Sequence, residues 1–127
     1  MCRALVAAGA VLGFLAVGLG AFGAHALRDH LPADRMAIYQ TGVQYHLAHA
    51  IAILLVAQMA DRLNARTVGW LWVAGVVIFS GSLYALAITG VRVLGAITPL
   101  GGVCFLAGWA LLAVRAMRDS RPPSPHA

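Results

Sequence analysis

Apolar residues run along this chain in four blocks, separated by three short polar breaks. The first block goes from Ala4 to about Leu27, the third from Thr67 to Ile88, and the fourth from about Gly95 to Met117. Each reaches the roughly 20 residues that a helix needs to cross the hydrocarbon core. Helix is the required form, because backbone polar groups cannot go unpaired in lipid. The second block is different. Its purely apolar stretch, Leu47 and Ala48 followed by Ala50 to Ala57, is too short to span, so a crossing helix must carry Gln44, Tyr45, His46 and His49 into the membrane. The segment before it, Pro32 to Thr41, has Pro32 at a first-turn position and Asp34 as a capping residue. It is expected to start at the interface and continue into the span, with a bend at Gly42. The breaks fall at Arg28 to Ala33, Asp61 to Arg66 and Thr89 to Leu94.

The pattern predicts an all-α fold: an integral membrane four-helix bundle with helices over about 4–27, 34–60, 67–88 and 95–117. Residues 1–118 form one transmembrane domain. Residues 119–127, with Arg121, Pro122, Pro123 and Pro125, form a disordered tail. Helices one and two do not repeat in three and four.

Composition turns this pattern into a membrane assignment. Hydrophobic residues make up 61% of the 127 positions and charged residues only 10%. So few charges cannot cover the surface of a soluble domain, and the apolar residues must face lipid. The net charge of +5 comes from nine arginines against four aspartates, with no Lys and no Glu. The arginines stand singly or in small groups between apolar blocks and form no stripe. That placement fits lipid head groups and excludes a nucleic-acid partner. If both termini share one side, Arg3, Arg62, Arg66, Arg115, Arg118 and Arg121 lie there, and Arg28, Arg35 and Arg92 lie on the other. The richer side is expected to be cytoplasmic, which places both termini of this multi-pass chain inside. Arg3, the apolar stretch and Ala24-His25-Ala26 also imitate a secretory signal with its cleavage site. The stretch is long for that purpose and glycine-rich as a packing helix is, so it is read as a retained helix. A mature protein starting at Leu27 would refute this. Cys2 and Cys104 are too far apart in the pattern for an expected disulfide, and neither has a second Cys nearby for a metal motif.

Small and polar residues locate the candidate chemistry. Gly9, Gly13, Ala16, Gly20 and Gly23 follow one another at spacings of 4, 3, 4 and 3, which lines them along one stripe of the first helix. Such a stripe lets helices approach closely. It serves either packing within the bundle, the favoured reading, or a dimer seam. On the second helix, at about 100° per residue, Arg35, Tyr39, Gly42, His46 and His49 fall on one face, with Tyr45 beside it. The third helix offers Ser80, Ser82 and Tyr84, and the fourth begins with Thr98. The up-and-down topology brings these residues and His25 to one level, in the outer half of the bundle, and leaves the inner half almost wholly apolar. Polar groups in lipid are costly unless partnered, so they face the bundle interior or a wet cavity.

Three functional classes follow. In the first, the polar set locks the helices or holds a small ligand, and the protein is a structural or partner-binding subunit that pairs with itself or another membrane protein. In the second, His25, His49 and Tyr45 serve transport of a small molecule or protons. In the third, His25, His46 and His49 hold a metal or haem in a redox subunit. The H-x-x-H spacing of His46 and His49 is weak for that role, and no acidic residue or Cys stands predictably near, so no cofactor is expected. Ser80 and Ser82 lack a nucleophile-elbow pattern, and the glycines sit within helices rather than in a phosphate-cradling loop. No catalytic residue is assigned.

Five stretches also carry a resemblance: Gly20-Ala21-Phe22-Gly23-Ala24-His25; Gln40-Thr41-Gly42 with Tyr45 and His49; Phe79-Ser80-Gly81-Ser82-Leu83-Tyr84; Thr98-Pro99-Leu100-Gly101-Gly102; and Gly108-Trp109-Ala110-Leu111. In that order they resemble the YgdD-like family of small bacterial membrane proteins, defined by a domain of unknown function. The likeness covers almost the whole chain and rests on His25 and His49 more than on His46. It implies a four-helix inner-membrane protein and supplies no activity.

Overall fold

The structure is a computed structural model that describes residues 1–119. Among these residues the chain forms four helical rods. The first is α1, Arg3–Phe22, prolonged by a wider π turn at Gly23–Leu27. The second is α2, Ala33–Gln58. The third joins α3, Arg66–Gly75, through a π turn at Val76–Ser80 to α4, Gly81–Thr89. A single 3-10 turn, Arg92–Ala96, leads into α5, Thr98–Asp119. The expected tail lies outside the described residues, except for Asp119, which closes α5.

Three of the rods, Arg3–Leu27, Arg66–Thr89 and Arg92–Asp119, are long and apolar enough to cross a membrane, with mean hydropathies of 2.3, 2.0 and 1.9. α2 has 26 residues, about 39 Å at a rise of about 1.5 Å each, and its length suffices. Its polar residues keep it below that apolarity, for the reason visible in its packing. α2 is the central helix. It lies against α1 along its length and also touches α3 and α4, while α5 packs on α3. Its Tyr39, Gly42, His46, His49, Ile53 and Val56 are buried against protein. α1 and α5 are perimeter helices, with only 17% of their most apolar stretches buried.

The expected cap is corrected. Pro32, extended at φ −58°, ψ 155°, precedes the first helical residue and makes no side-chain cap. Asp34 lies inside the first turn, where its charge opposes the positive end of the helix dipole. At the far end of α4 the chain reverses through Gly90 at φ +72°, a left-handed conformation that glycine enters without a Cβ clash. The Arg35 guanidinium lies over it.

The apolar core sits toward the end that holds the termini. Leu5, Ile53, Val56, Val68 and Trp72 are almost wholly enclosed there. The Cys2 amide donates to the Ala57 carbonyl at 3.0 Å, and the Met1 ammonium meets Asp61 at 2.6 Å. Arg62 pairs with Asp119 at 3.4 Å, and Arg115 donates to the Asn64 carbonyl. Residues 1 and 119 thus lie at the same end of the bundle. The cysteines are free and half-buried.

Candidate functional site

The π turn of the third rod places Ser80 toward α2, where its hydroxyl donates to the Gly42 carbonyl at 2.8 Å. That carbonyl is also in reach of the helix ladder and has a second lone pair to offer. One helical position pair later, Ser82 donates to the Phe79 carbonyl at 2.9 Å and lies 2.6 Å from the Thr98 hydroxyl at the start of α5. Tyr84 reaches back to α2, its hydroxyl 2.8 Å from Nδ1 of His46. Tyr39 crosses to α1 and donates to the Leu19 carbonyl. The rings of Tyr39 and Tyr84 lie 5.2 Å apart.

Glycines make these crossings possible. A Cβ on Gly23 would run into the Tyr39 ring, and one on Gly42 would meet the Tyr84 ring at 2.9 Å. Each ring fills the space where a side chain is missing. The stripe on α1 is spent in this way. Gly9, Ala16 and Gly23 are buried, and Gly9, Gly20 and Gly23 lie against α2 side chains. Only Gly13 opens onto space, with nothing within 4 Å of its Cβ position.

His49 anchors a second group. Its Nδ1 lies 2.8 Å from the Tyr45 carbonyl and therefore carries the proton, while Nε2 accepts from the Trp109 indole at 3.1 Å. Its ring stacks on Phe105 at 3.7 Å and meets Trp72 edge-on at 5.9 Å. The Trp72 indole donates to the Phe105 carbonyl at 3.2 Å. Trp72, Phe105 and Trp109 were not among the expected site residues. Their signal is in the sequence: Gly101, Phe105 and Gly108 repeat on α5 the spacing of 4 and 3 seen on α1, and all three are buried.

The expected polar set is therefore brought together only in part. His46 bonds Tyr84, whose ring lies against Tyr39, while Ser82 pairs with Thr98 and Ser80 bonds the α2 backbone, all toward the end away from the termini. His49 lies next to these residues, inside an aromatic group. Tyr45 is 45% exposed and packs its ring on Phe79 at 4.8 Å. His25 sits exposed on the π turn that ends α1 and joins none of them. Among the described residues, no three His, Cys, Asp or Glu side chains are grouped to hold a metal. His25 is exposed, His46 bonds Tyr84, and His49 bonds the Tyr45 carbonyl and Trp109, so the three face different surroundings. His46 keeps one open valence: its buried Nε2 has no hydrogen-bond partner among the described residues.

Three long apolar rods around a polar central helix define a small multi-pass α-helical membrane protein. The model of the family described as "Protein of unknown function (DUF423)" matches residues 19–102, which span the cluster from Gly23 to Thr98. The chain belongs to that family. It is 48% identical over 120 residues to the UPF0382 membrane protein YwdK of Bacillus subtilis, covering 91% of this chain and 98% of that one. It is 45% identical over 120 residues to the UPF0382 inner membrane protein YgdD of Escherichia coli, covering 92% of each chain. A UPF0382 membrane protein of Staphylococcus epidermidis is 42% identical over 118 residues, 91% of this chain and 97% of that one. No solved structure matches. With these relatives and three candidate spans, the chain is a protein of the bacterial inner (cell) membrane.

Proposed function

We propose that this protein is a non-enzymatic assembly element of the inner membrane. All four rods cross the bilayer, both termini are cytoplasmic, and it pairs with a second copy of itself. The observation that carries this reading is how the polar side chains are used. Both nitrogens of His49, the hydroxyls of Tyr39, Ser80 and Ser82, and one nitrogen of His46 are bonded to neighbouring helices or residues. Groups held this way lock helices together and leave no free acid, base or nucleophile next to one another. Of the residues that the transport and redox alternatives draw on, His25 is remote, His49 is bonded through both nitrogens, His46 is bonded through Nδ1, and Tyr45 packs half-exposed on Phe79.

The pairing surface is the flank between α1 and α2. Gln40 and Gln44 stand one turn apart there, both exposed on a helix that crosses lipid in this reading. They line a cavity of about 370 Å³ with Gly20, Ala24 and Val43. An amide is donor and acceptor at once, so two copies related by a twofold axis can bond Gln to Gln. In mild detergent, light scattering on the eluting protein should give a dimer, and Gln40→Leu with Gln44→Leu should give a monomer. A wild-type chain that is strictly monomeric, with no co-purifying partner, refutes the proposal.

A further inference from the structure

On a different flank, α2 and α5 both pack on α3 but do not pack on each other along their length. Side chains bridge them near His49 and Trp109. Between that bridge and the end holding the termini a crevice remains. It begins in a cavity of about 370 Å³ rimmed by Arg62, Asn64, Arg115, Arg118 and Asp119. A second cavity of about 290 Å³ shares Arg62, Leu63 and Asp119 with the first and adds Met59. A third, of about 100 Å³, shares Met59 and is otherwise apolar, ending on Trp72 and Trp109. Three guanidinium groups thus face one carboxylate at the mouth, and the charge gives way to aliphatic and aromatic lining inward.

We propose that this crevice binds an anionic glycerophospholipid, its phosphodiester held by Arg62, Arg115 and Arg118 and an acyl chain laid along Met59 toward Trp109. The charge is complementary, and the guanidinium fork matches phosphate oxygens. The mouth is not fully committed to protein contacts. Arg62 meets Asp119 at 3.4 Å with its side chain 81% exposed, and Arg118 makes no ion pair among the described residues. The depth fits as well. Asp119 to Trp109 is ten residues, about 15 Å of helix, which is half of a hydrocarbon core of about 30 Å. A head group at the rim therefore leaves its chain beside the crevice for the depth of one leaflet. General retention of arginines at one membrane face does not account for this. Arg3 serves that purpose equally and lies outside the crevice, whereas the three rim arginines converge from the break after α2 and the last turns of α5. The inference holds whichever side of the membrane the rim occupies.

Tryptophan fluorescence gives a direct readout, because Trp72 and Trp109 form the inner end of the crevice. The full chain, carrying Trp70→Phe so that buried Trp72 and half-exposed Trp109 are the reporting indoles, is purified in detergent and delipidated. It is then exchanged with phosphatidylglycerol or phosphatidylcholine bearing brominated acyl chains. Phosphatidylglycerol should quench at lower mole fraction than phosphatidylcholine. Arg62→Gln and Arg118→Gln should each cut that preference about fivefold, the effect of one arginine near a charged lipid surface. Arg3→Gln should leave it in place. Met59→Phe keeps every charge and fills the constriction, and should weaken quenching by phosphatidylglycerol. Circular dichroism checks that each variant is folded. Equal quenching by the two lipids overturns the proposal, as does an Arg3→Gln loss as large as that of Arg118→Gln. Displacement of the brominated lipid by millimolar inorganic phosphate would also overturn it, since the site would then take a free anion and not a lipid.

Discussion

Gly101→Ala tests the helix packing where backbone meets backbone. A Cβ on Gly101 would lie 2.7 Å from Cβ and 2.8 Å from Cα of Phe79, and closer still to the Phe79 backbone nitrogen. These atoms belong to the π turn of the third rod, so no flexible side-chain tip can yield. α5 must move away from α3, and the Phe105 ring that sits over Gly75 moves with it. Overpacking of this kind costs about 1–3 kcal/mol, and an unyielding backbone puts it at the upper end. Alanine returns about 1 kcal/mol of helix propensity. The net loss is about 2 kcal/mol, roughly a thirtyfold change in the folding equilibrium. Gly13→Ala is the matched control, because nothing lies within 4 Å of its Cβ position. It should be neutral or stabilising by up to about 1 kcal/mol. Reversible unfolding in mixed micelles, followed by circular dichroism, measures both. Equal stability of Gly101→Ala and wild type would refute the close approach of α5 and the third rod. An equal loss for both variants would show that the effect is not contact-specific.

Three further expectations follow from other parts of the molecule. Trp109→Phe leaves Nε2 of His49 without its donor, and should cost about 1 kcal/mol; a double-mutant cycle with His49→Leu should show coupling of that order, and no coupling would argue against the bond. The Asp61 carboxyl is held below its ordinary value of 3.8, first by the bond from the Met1 ammonium and then by Arg66. The depressed value stabilises the fold above 3.8, and that stability is lost as pH falls from there through the lower folded value, so melting curves of wild type and Asp61→Asn should differ at pH 7 and converge in acid. In a background with Cys2→Ser and Cys104→Ser, a membrane-impermeant maleimide applied to intact cells should label Asp29→Cys and not Asn64→Cys; labelling of both would mean that α2 does not cross.

Much of the fold is legible in the sequence because lipid removes alternatives. A run such as 67–88 can only be a helix, and its expected ends fall within a residue of Arg66–Thr89. The face of α2 formed by Tyr39, Gly42, His46 and His49 is legible too, since period alone groups those residues and all four are buried. What period cannot give is which helix supplies the neighbour. Tyr84 and Ser80 turn toward α2 because a π turn at Val76–Ser80 shifts the register of the third rod, and no local residue announces that turn. The bond from Trp109 to His49 is not legible for a related reason: it needs α5 to approach the third rod closely, and that approach rests on Gly108 packing against Trp72. His25 shows the converse: its place near the end of the first rod does not fix the side it occupies, and it stands exposed.

The two proposed surfaces make a joint prediction, because α2 contributes to both. Gln40 and Gln44 border the α1 flank near the start of α2, while Met59 and Arg62 border the α5 flank just past its end. The closest pair, Gln44 and Met59, is 15 residues apart, about 22 Å of helix, and the two sets border different flanks, so neither set touches the other. Substitutions more than about 10 Å apart with no shared partner act independently. Gln40→Leu with Gln44→Leu should therefore abolish the dimer and leave the preference for phosphatidylglycerol unchanged, and Arg118→Gln should do the reverse. Light scattering and brominated-lipid quenching on the same preparations measure both properties. A Gln variant that lost lipid preference together with the dimer would mean that the lipid is held between copies, and the crevice between α2 and α5 would then be only half of its site.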